Sequence, residues 1–241
     1  MRIALVAVLA AVMVAAAGAQ RDTTRATVFA AASLTNAFPK IGPNARYSFA
    51  GSNALAAQIR QGAPADVFAS ANVKLPFGLY GDGHCSRPVV FTRNALVVIV
   101  PRANRKRIKT ISDLKRKGVK VVIAAKGVPV GDYTLQVLQK LKLNAVLSNV
   151  VSRETDVREV LAKVALDEAD AGFVYSTDAR TVPTKVRTIS IPPRGRPNIE
   201  YGICVVLAGD KEGGHTFVKR VLSSTGQKIL LRYGFLPRKK Q

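Results

Sequence analysis

The chain has 241 residues, with 37 Lys and Arg against 15 Asp and Glu, a formal net charge of +22, no Trp and only 6 % aromatic residues. That length suffices for one large domain or two lobes, and the shortage of aromatics argues against a stacking platform for single-stranded nucleic acid. The basic residues are scattered (RANRKRIK at 102–109, KRK at 115–117, RKK at 238–240), so they read as a solvated basic face, with no nucleic-acid partner expected.

Met1 and Arg2 precede an unbroken apolar run from Ile3 to Ala17. These fifteen residues fall short of the roughly 20 that span a bilayer. Ala17-Gly18-Ala19 then fits a small-x-small cleavage site, so residues 1–19 read as a signal peptide cut after Ala19. The residue after the cut is Gln20 and not Cys, which implies no lipoprotein anchor. The expected product is exported, periplasmic or extracytoplasmic.

After the leader, strand and helix alternate. ATVFAAA (26–32) predicts a short apolar strand, after which Ser33 opens a helical turn. RYSFA (46–50) predicts a second strand, Gly51-Ser52-Asn53 a turn, and ALAAQIRQG (54–62) a helix. ADVFASA (65–71) and NALVVIVP (94–101) predict strands, the latter ended by proline. TISDLKRKG (110–118) predicts a short helix, with Ser112 or Asp113 near its cap, and VKVVIAA (119–125) a buried strand. Helices follow at YTLQVLQKLKL (133–143) and VREVLAKVALDEA (157–169), strands at AGFVYSTDA (171–179) and YGICVVLAG (201–209), and helices over 215–235. Such βα alternation predicts an α/β chain of open sheets covered by helices. The long strands at 94–101 and 201–208 bracket a middle block, giving two lobes: 20–100 with 201–241, and an inserted 101–200. The bracketing strands are then the two crossovers and the hinge.

Chemistry-bearing clusters are few. Cys85 and Cys204 lie 119 residues apart, and spacing leaves open whether they pair or stay as buried thiols. Only His84 and His215 could add imidazoles, so no metal site is expected and no cofactor is implied. Four strand-to-helix turns stand out, at Ser33, Ser52, Val130 and Val157. The first N–H groups of a helix have no internal partner and, with the dipole behind them, bind anions without a positive side chain. Taken singly, Ser33 and Ser52 read first as helix caps. Taken together, the four turns point to an anion site outside the strand ends.

The motifs VFAAASLTNAF (28–38), SFAGSNALAAQIRQGAPADVFASA (48–71), VPVGDY (128–133), TDVREVL (155–161), GFVYSTDA (172–179) and LRYGF (231–235) resemble those of periplasmic molybdate-binding proteins of ABC transporters. The resemblance implies a two-lobed type II periplasmic-binding fold, each lobe an open α/β sheet flanked by helices, joined by two crossover strands. It further implies capture of molybdate, and of tungstate, in the inter-lobe cleft, with delivery to an ABC membrane permease by a monomer that is not an enzyme. By motif, Ser33 and Ser52 would bind from the first lobe, and the N–H groups of Val130 and Val157 from the second. Tyr175 is added by the resemblance alone, as a phenol donor. Val130 stands where a smaller residue is common in the family, and Asn53 where Ser or Gly is. Asp132 falls two residues past Val130, close to any bound dianion unless it turns outward.

Other readings follow from the same residues. A same-fold binder of sulfate or phosphate shares every feature except cavity size. An exported serine hydrolase would need Ser33 or Ser52 as nucleophile, but no G-x-S-x-G elbow is present. A basic surface-binding protein would use the charge itself.

Overall fold

The computed structural model of the chain describes residues 25–239, and the signal peptide read at 1–19 lies outside them. Two five-stranded mixed sheets, each flanked by helices, carry the α/β architecture expected from the alternation. The first sheet contains β1 (Thr27–Ala31), β2 (Arg46–Ala50), β3 (Val67–Ser70), β4 (Val89–Asn94) and β10 (Ile199–Val205), in the order β2-β1-β3-β10-β4. The second contains β5 (Leu96–Pro101), β6 (Val121–Ala124), β7 (Val150–Glu154), β8 (Ala171–Tyr175) and β9 (Val186–Ser190), in the order β7-β6-β8-β5-β9. In each sheet the three strands at one edge run parallel, while β10 and β5 enter antiparallel to both of their neighbours.

The helices are α1 (Phe38–Ile41), α2 (Ser52–Arg60), α3 (Lys74–Gly81), α4 (Pro129–Lys140), α5 (Val157–Ala165), α6 (Ser176–Ala179), α7 (Lys211–Leu222) and α8 (Ser224–Arg232). None of the described helices is long and apolar enough to cross a membrane. α5 shows why they pack as they do. Val157, Val160, Leu161 and Val164 fall on one stripe and are buried, while the Asp156 carboxylate caps the N-terminus by accepting from the N–H groups of Arg158 and Glu159. Strands β3 and β6 are buried at every residue, as parallel strands covered on both faces should be.

The chain passes between the sheets twice, at Ala95 and across residues 191–198. The crossovers are therefore not the strands read at 94–101 and 201–208, and the lobe bounds at 100/101 and 200/201 shift: residues 96–101 belong to the second sheet and 199–205 to the first. β4 ends at Asn94 in the first sheet and β5 begins at Leu96 in the second. Three further details differ from the pattern read in sequence. A helix occupies Lys74–Gly81, a segment with no helical reading in the sequence; burial of Pro76 and Leu79 holds it. The segment 110–118 forms only a 3-10 turn, Ile111–Lys115, capped by Thr110 and Asp113 in a reciprocal box. β9 had no alternating apolar signal, since three of its five residues are exposed.

Cys85 and Cys204 are both buried free thiols in the core beneath α2 and α3. The arginines and lysines at 102–109 and 115–117 are exposed, on the solvent side of the second sheet's connections.

Candidate functional site

Each sheet ends two of its parallel strands in turns that face the other sheet. In the first, β1 ends at Ala31 and the chain tightens into a 3-10 turn, Ala32–Leu34, that contains Ser33. β2 ends at Ala50, and α2 starts at Ser52 directly after Gly51. Neither serine caps its helix. The capping positions are Ala31 and Gly51, with no side-chain cap bond at either turn. Both hydroxyls instead face inward and are buried: Ser52 Oγ accepts from the Ala71 N–H at 3.1 Å, and Ser33 Oγ lies 2.9 Å from the Tyr201 hydroxyl.

In the second sheet, β6 leads into α4, whose first residue is Pro129. Proline brings no N–H, so the first free donor of that helix is Val130's. α5 begins at Val157, one residue past the capping Asp156. The Asp156 carboxylate takes the two N–H groups after Val157, at 2.6 and 3.1 Å, so the N–H of Val157 stays outside the cap. Tyr175 closes β8, fully buried, and its hydroxyl has no hydrogen-bond partner among the described residues. Burial pushes that phenol well above its usual pKa, so it holds its proton as a donor. Asp132 turns outward: its carboxylate accepts from the Gly127 N–H at 2.8 Å.

All five residues singled out from sequence line one small cavity between the two sheets, together with Ala31, Ala32, Ala50, Gly51, Ala71, Val128, Pro129 and Asp156. None of these lining residues is Lys, Arg or His, although the chain carries a net charge of +22. The charge and the cavity are separate features. What the lining offers is hydroxyls and N–H groups at helix starts, an arrangement suited to a small anion and short of any nucleophile–base pair. No group of three or more His, Cys, Asp or Glu is placed to hold a metal ion among the described residues.

Several neighbours of the cavity carried no sequence signal. Tyr201 sits within a strand that reads only as apolar, yet its hydroxyl meets Ser33. Arg158 stands on a helix with no motif to mark it, yet its Nη2 donates to Asn36 Oδ1 across the two lobes at 2.7 Å, and its Nε lies 2.7 Å from the buried Asp178. Gly51 is the third. A Cβ there would lie 2.4 Å from the Thr155 carbonyl oxygen of the facing lobe. Its φ of −57° suits any residue, so glycine is needed for the close approach alone. Gly51→Ala is expected to wedge the lobes apart and weaken ligand binding about ten- to a hundredfold, the overpacking cost of one methyl group. Small-angle scattering with saturating ligand should show incomplete compaction; wild-type compaction and affinity would remove Gly51 from the closure contact.

Comparison with known proteins places this geometry. A family model described as bacterial extracellular solute-binding protein matches residues 12–236. The molybdate-binding protein ModA of Mycobacterium tuberculosis is 36% identical over 230 residues, covering 91% of this chain and 87% of that protein. The molybdate-binding protein ModA of Escherichia coli is 34% identical over 248 residues, covering 94% and 95%. Among solved structures, the periplasmic molybdate-binding protein of Azotobacter vinelandii superposes with a TM-score of 0.76 at 20% identity, over 89% of this chain and 100% of that one. At that identity the superposition speaks for the two-lobed fold.

Proposed function

From the premise that this chain belongs to the bacterial extracellular solute-binding protein family, we propose that it captures molybdate between its two lobes and delivers it to an ABC membrane permease. The observation that carries the reading is the cavity itself. Four helix-start turns and one buried phenol, drawn from both sheets, converge on a space that holds hydroxyl and N–H donors and no cation. A tetrahedral dianion satisfies such donors on every side, and each charge-assisted hydrogen bond is stronger than a neutral one. Ser33 and Ser52 would bind from the first lobe; Val130, Val157 and Tyr175 from the second.

Capture then follows from closure. The lobes turn about the crossovers at Ala95 and 191–198, which part the sheet carrying β1–β4 and β10 from the sheet carrying β5–β9, and the anion bridges donors that are apart in the open form. The closed, anion-loaded monomer is the form that docks on the permease. Tungstate, a tetrahedral dianion of nearly the same size, fits the same donors, whereas sulfate is smaller and spans them less well. The protein acts outside the cytoplasm after removal of the segment 1–19, with no catalytic step.

Calorimetric titration of the mature chain against molybdate, tungstate, sulfate and phosphate tests this reading. Molybdate and tungstate should saturate one site, with sulfate and phosphate much weaker. Sulfate binding as tightly as molybdate, or no saturable molybdate binding, would overturn it.

A further inference from the structure

The connection from β5 to β6, residues 102–120, carries nine Lys and Arg against one acid, Asp113. All nine cations are exposed, whereas Ile108, Ile111, Leu114 and Val119 are buried, so the apolar residues root the segment and turn its charge outward. Hydrogen bonds hold it in one shape. Asn104 and Ile108 exchange two at 2.9 Å, and Asn149 Nδ2 donates to the Leu114 and Arg116 carbonyls at 2.7 and 2.8 Å. The nearby acids are mostly spent on backbone. Asp113 accepts from the Lys109 and Thr110 N–H groups, and Asp170 from that of Lys120. Asp167 pairs with Arg105, and Glu168 adds one more carboxylate to that turn. Lys106, Lys109, Lys115 and Lys117 have no carboxylate within ion-pair distance among the described residues. Strand direction places this charge. β5 starts at Leu96 beside Tyr175 and ends at Pro101, while β6 starts at Val121 beside Ala171. Residues 102–120 therefore join the strand ends farthest from the cavity, about 13 Å along β8 from Tyr175. Two apolar side chains share this pole. Leu166, 69 % exposed, immediately precedes the Asp167 that holds Arg105, and Val151, 57 % exposed, stands two residues past Asn149. They are the two most exposed large apolar residues among those described.

We propose that this pole of the second lobe is a docking surface for a bilayer rich in anionic phospholipid headgroups. Lysines and arginines near such a surface are drawn to its negative potential, and exposed apolar side chains among them gain by entering the headgroup layer. The pairing of charge with Leu166 and Val151 favours a bilayer over a nucleic acid, which offers phosphates but no apolar layer to receive them. Because the pole lies at the strand ends opposite the cavity, a docked chain keeps its cleft open to solvent. The surface is separate from the anion site, and neither depends on the other.

Co-sedimentation with vesicles tests this, using phosphatidylcholine alone and phosphatidylcholine with about one third phosphatidylglycerol. The mature chain should bind the anionic vesicles and leave the neutral ones. Sodium chloride at about 0.5 M, where screening shortens to about 4 Å, should release most of it. A pole variant carries Lys106→Gln, Lys109→Gln, Lys115→Gln and Lys117→Gln. A control removes the same charge from α7 and α8 of the first lobe, with Lys211→Gln, Lys219→Gln, Lys228→Gln and Arg232→Gln. The pole variant should need at least about tenfold more lipid for half binding, and the control less than about twofold more. Leu166→Gln should raise the requirement about threefold without touching charge. Thermal melting verifies that each variant folds, and molybdate affinity should be the same with and without vesicles. Equal losses in the pole variant and the control would overturn the proposal, because net charge and not the pole would then do the binding. Retention on duplex DNA with none on anionic vesicles would overturn it in favour of a nucleic-acid surface. A chain that binds molybdate but neither kind of vesicle would overturn this inference alone, and vesicle binding without molybdate binding would overturn only the reading of the cavity.

Discussion

Replacing Arg158 with alanine is expected to lower the unfolding free energy by about 3–5 kcal/mol at pH 8, the cost of leaving a buried charge without its partner. Asp178 is fully buried, and Arg158 Nε, 2.7 Å from its Oδ1, is the cation paired with it. Burial pushes the Asp178 carboxyl up to about 7 from its ordinary value of 3.8, against the pull of Arg158. The sign of the pH dependence follows. A folded pKa above the unfolded one contributes stability that is complete below about pH 4 and lost as pH rises through about 7. Wild type should therefore lose stability across that window, by at most about 1.4 kcal/mol per pH unit. Arg158→Ala should cost less at pH 5, where Asp178 keeps its proton, than at pH 8. Urea unfolding of wild type, Arg158→Ala and Asp178→Asn at both pH values measures this. A pH-independent loss under about 1 kcal/mol in Arg158→Ala would mean that Asp178 is not charged in the folded chain.

The double variant Ser33→Ala, Ser52→Ala should lose about a hundred- to ten-thousandfold in molybdate affinity. Each hydroxyl gives one hydrogen bond to a charged group, worth about 1.5–3 kcal/mol, and the two losses add where the hydroxyls share no partner besides the ligand. Stability should change little through the helices, because neither serine is a cap. Calorimetry or competition binding reads the affinity, and urea unfolding reads the stability. A loss under tenfold would leave the N–H groups as the only ligand contacts.

Much of this architecture is legible from the order of apolar runs. β1, β2 and β6 are short strands, and the small or hydroxyl residues in the turns after them mark three of the helix starts that line the cavity, whereas β7, before Val157, is largely polar and exposed. The structure brings Ser33, Ser52, Val130, Val157 and Tyr175 to one place, at the ends of parallel strands in the two mixed sheets that face each other. The capping reading of the two serines does not survive, because backbone geometry shifts the cap one or two residues back. What spacing does not reveal are the contacts between distant segments. Tyr201 reaches Ser33 across 168 positions, Arg158 reaches Asn36 across 122, and Gly51 lies against the Thr155 carbonyl of the facing lobe. A tyrosine in an apolar strand and an arginine on a helix look the same in sequence whether or not such a partner exists. The change of sheet at Ala95 stays hidden for a related reason: Ala95 is no turn residue, and only the pairing of β4 and β5 shows that the chain changes sheets there.

The account stands most directly on where the anion sits. Crystals of the mature chain grown with tungstate, measured at the tungsten absorption edge, should show one strong anomalous peak per chain. It should lie within the cavity, ringed by Ser33, Ser52, Val130, Val157 and Tyr175. A peak on the exposed arginines and lysines of 102–109 or 115–117, with the cavity unfilled, would contradict it: the basic surface would then be the anion site.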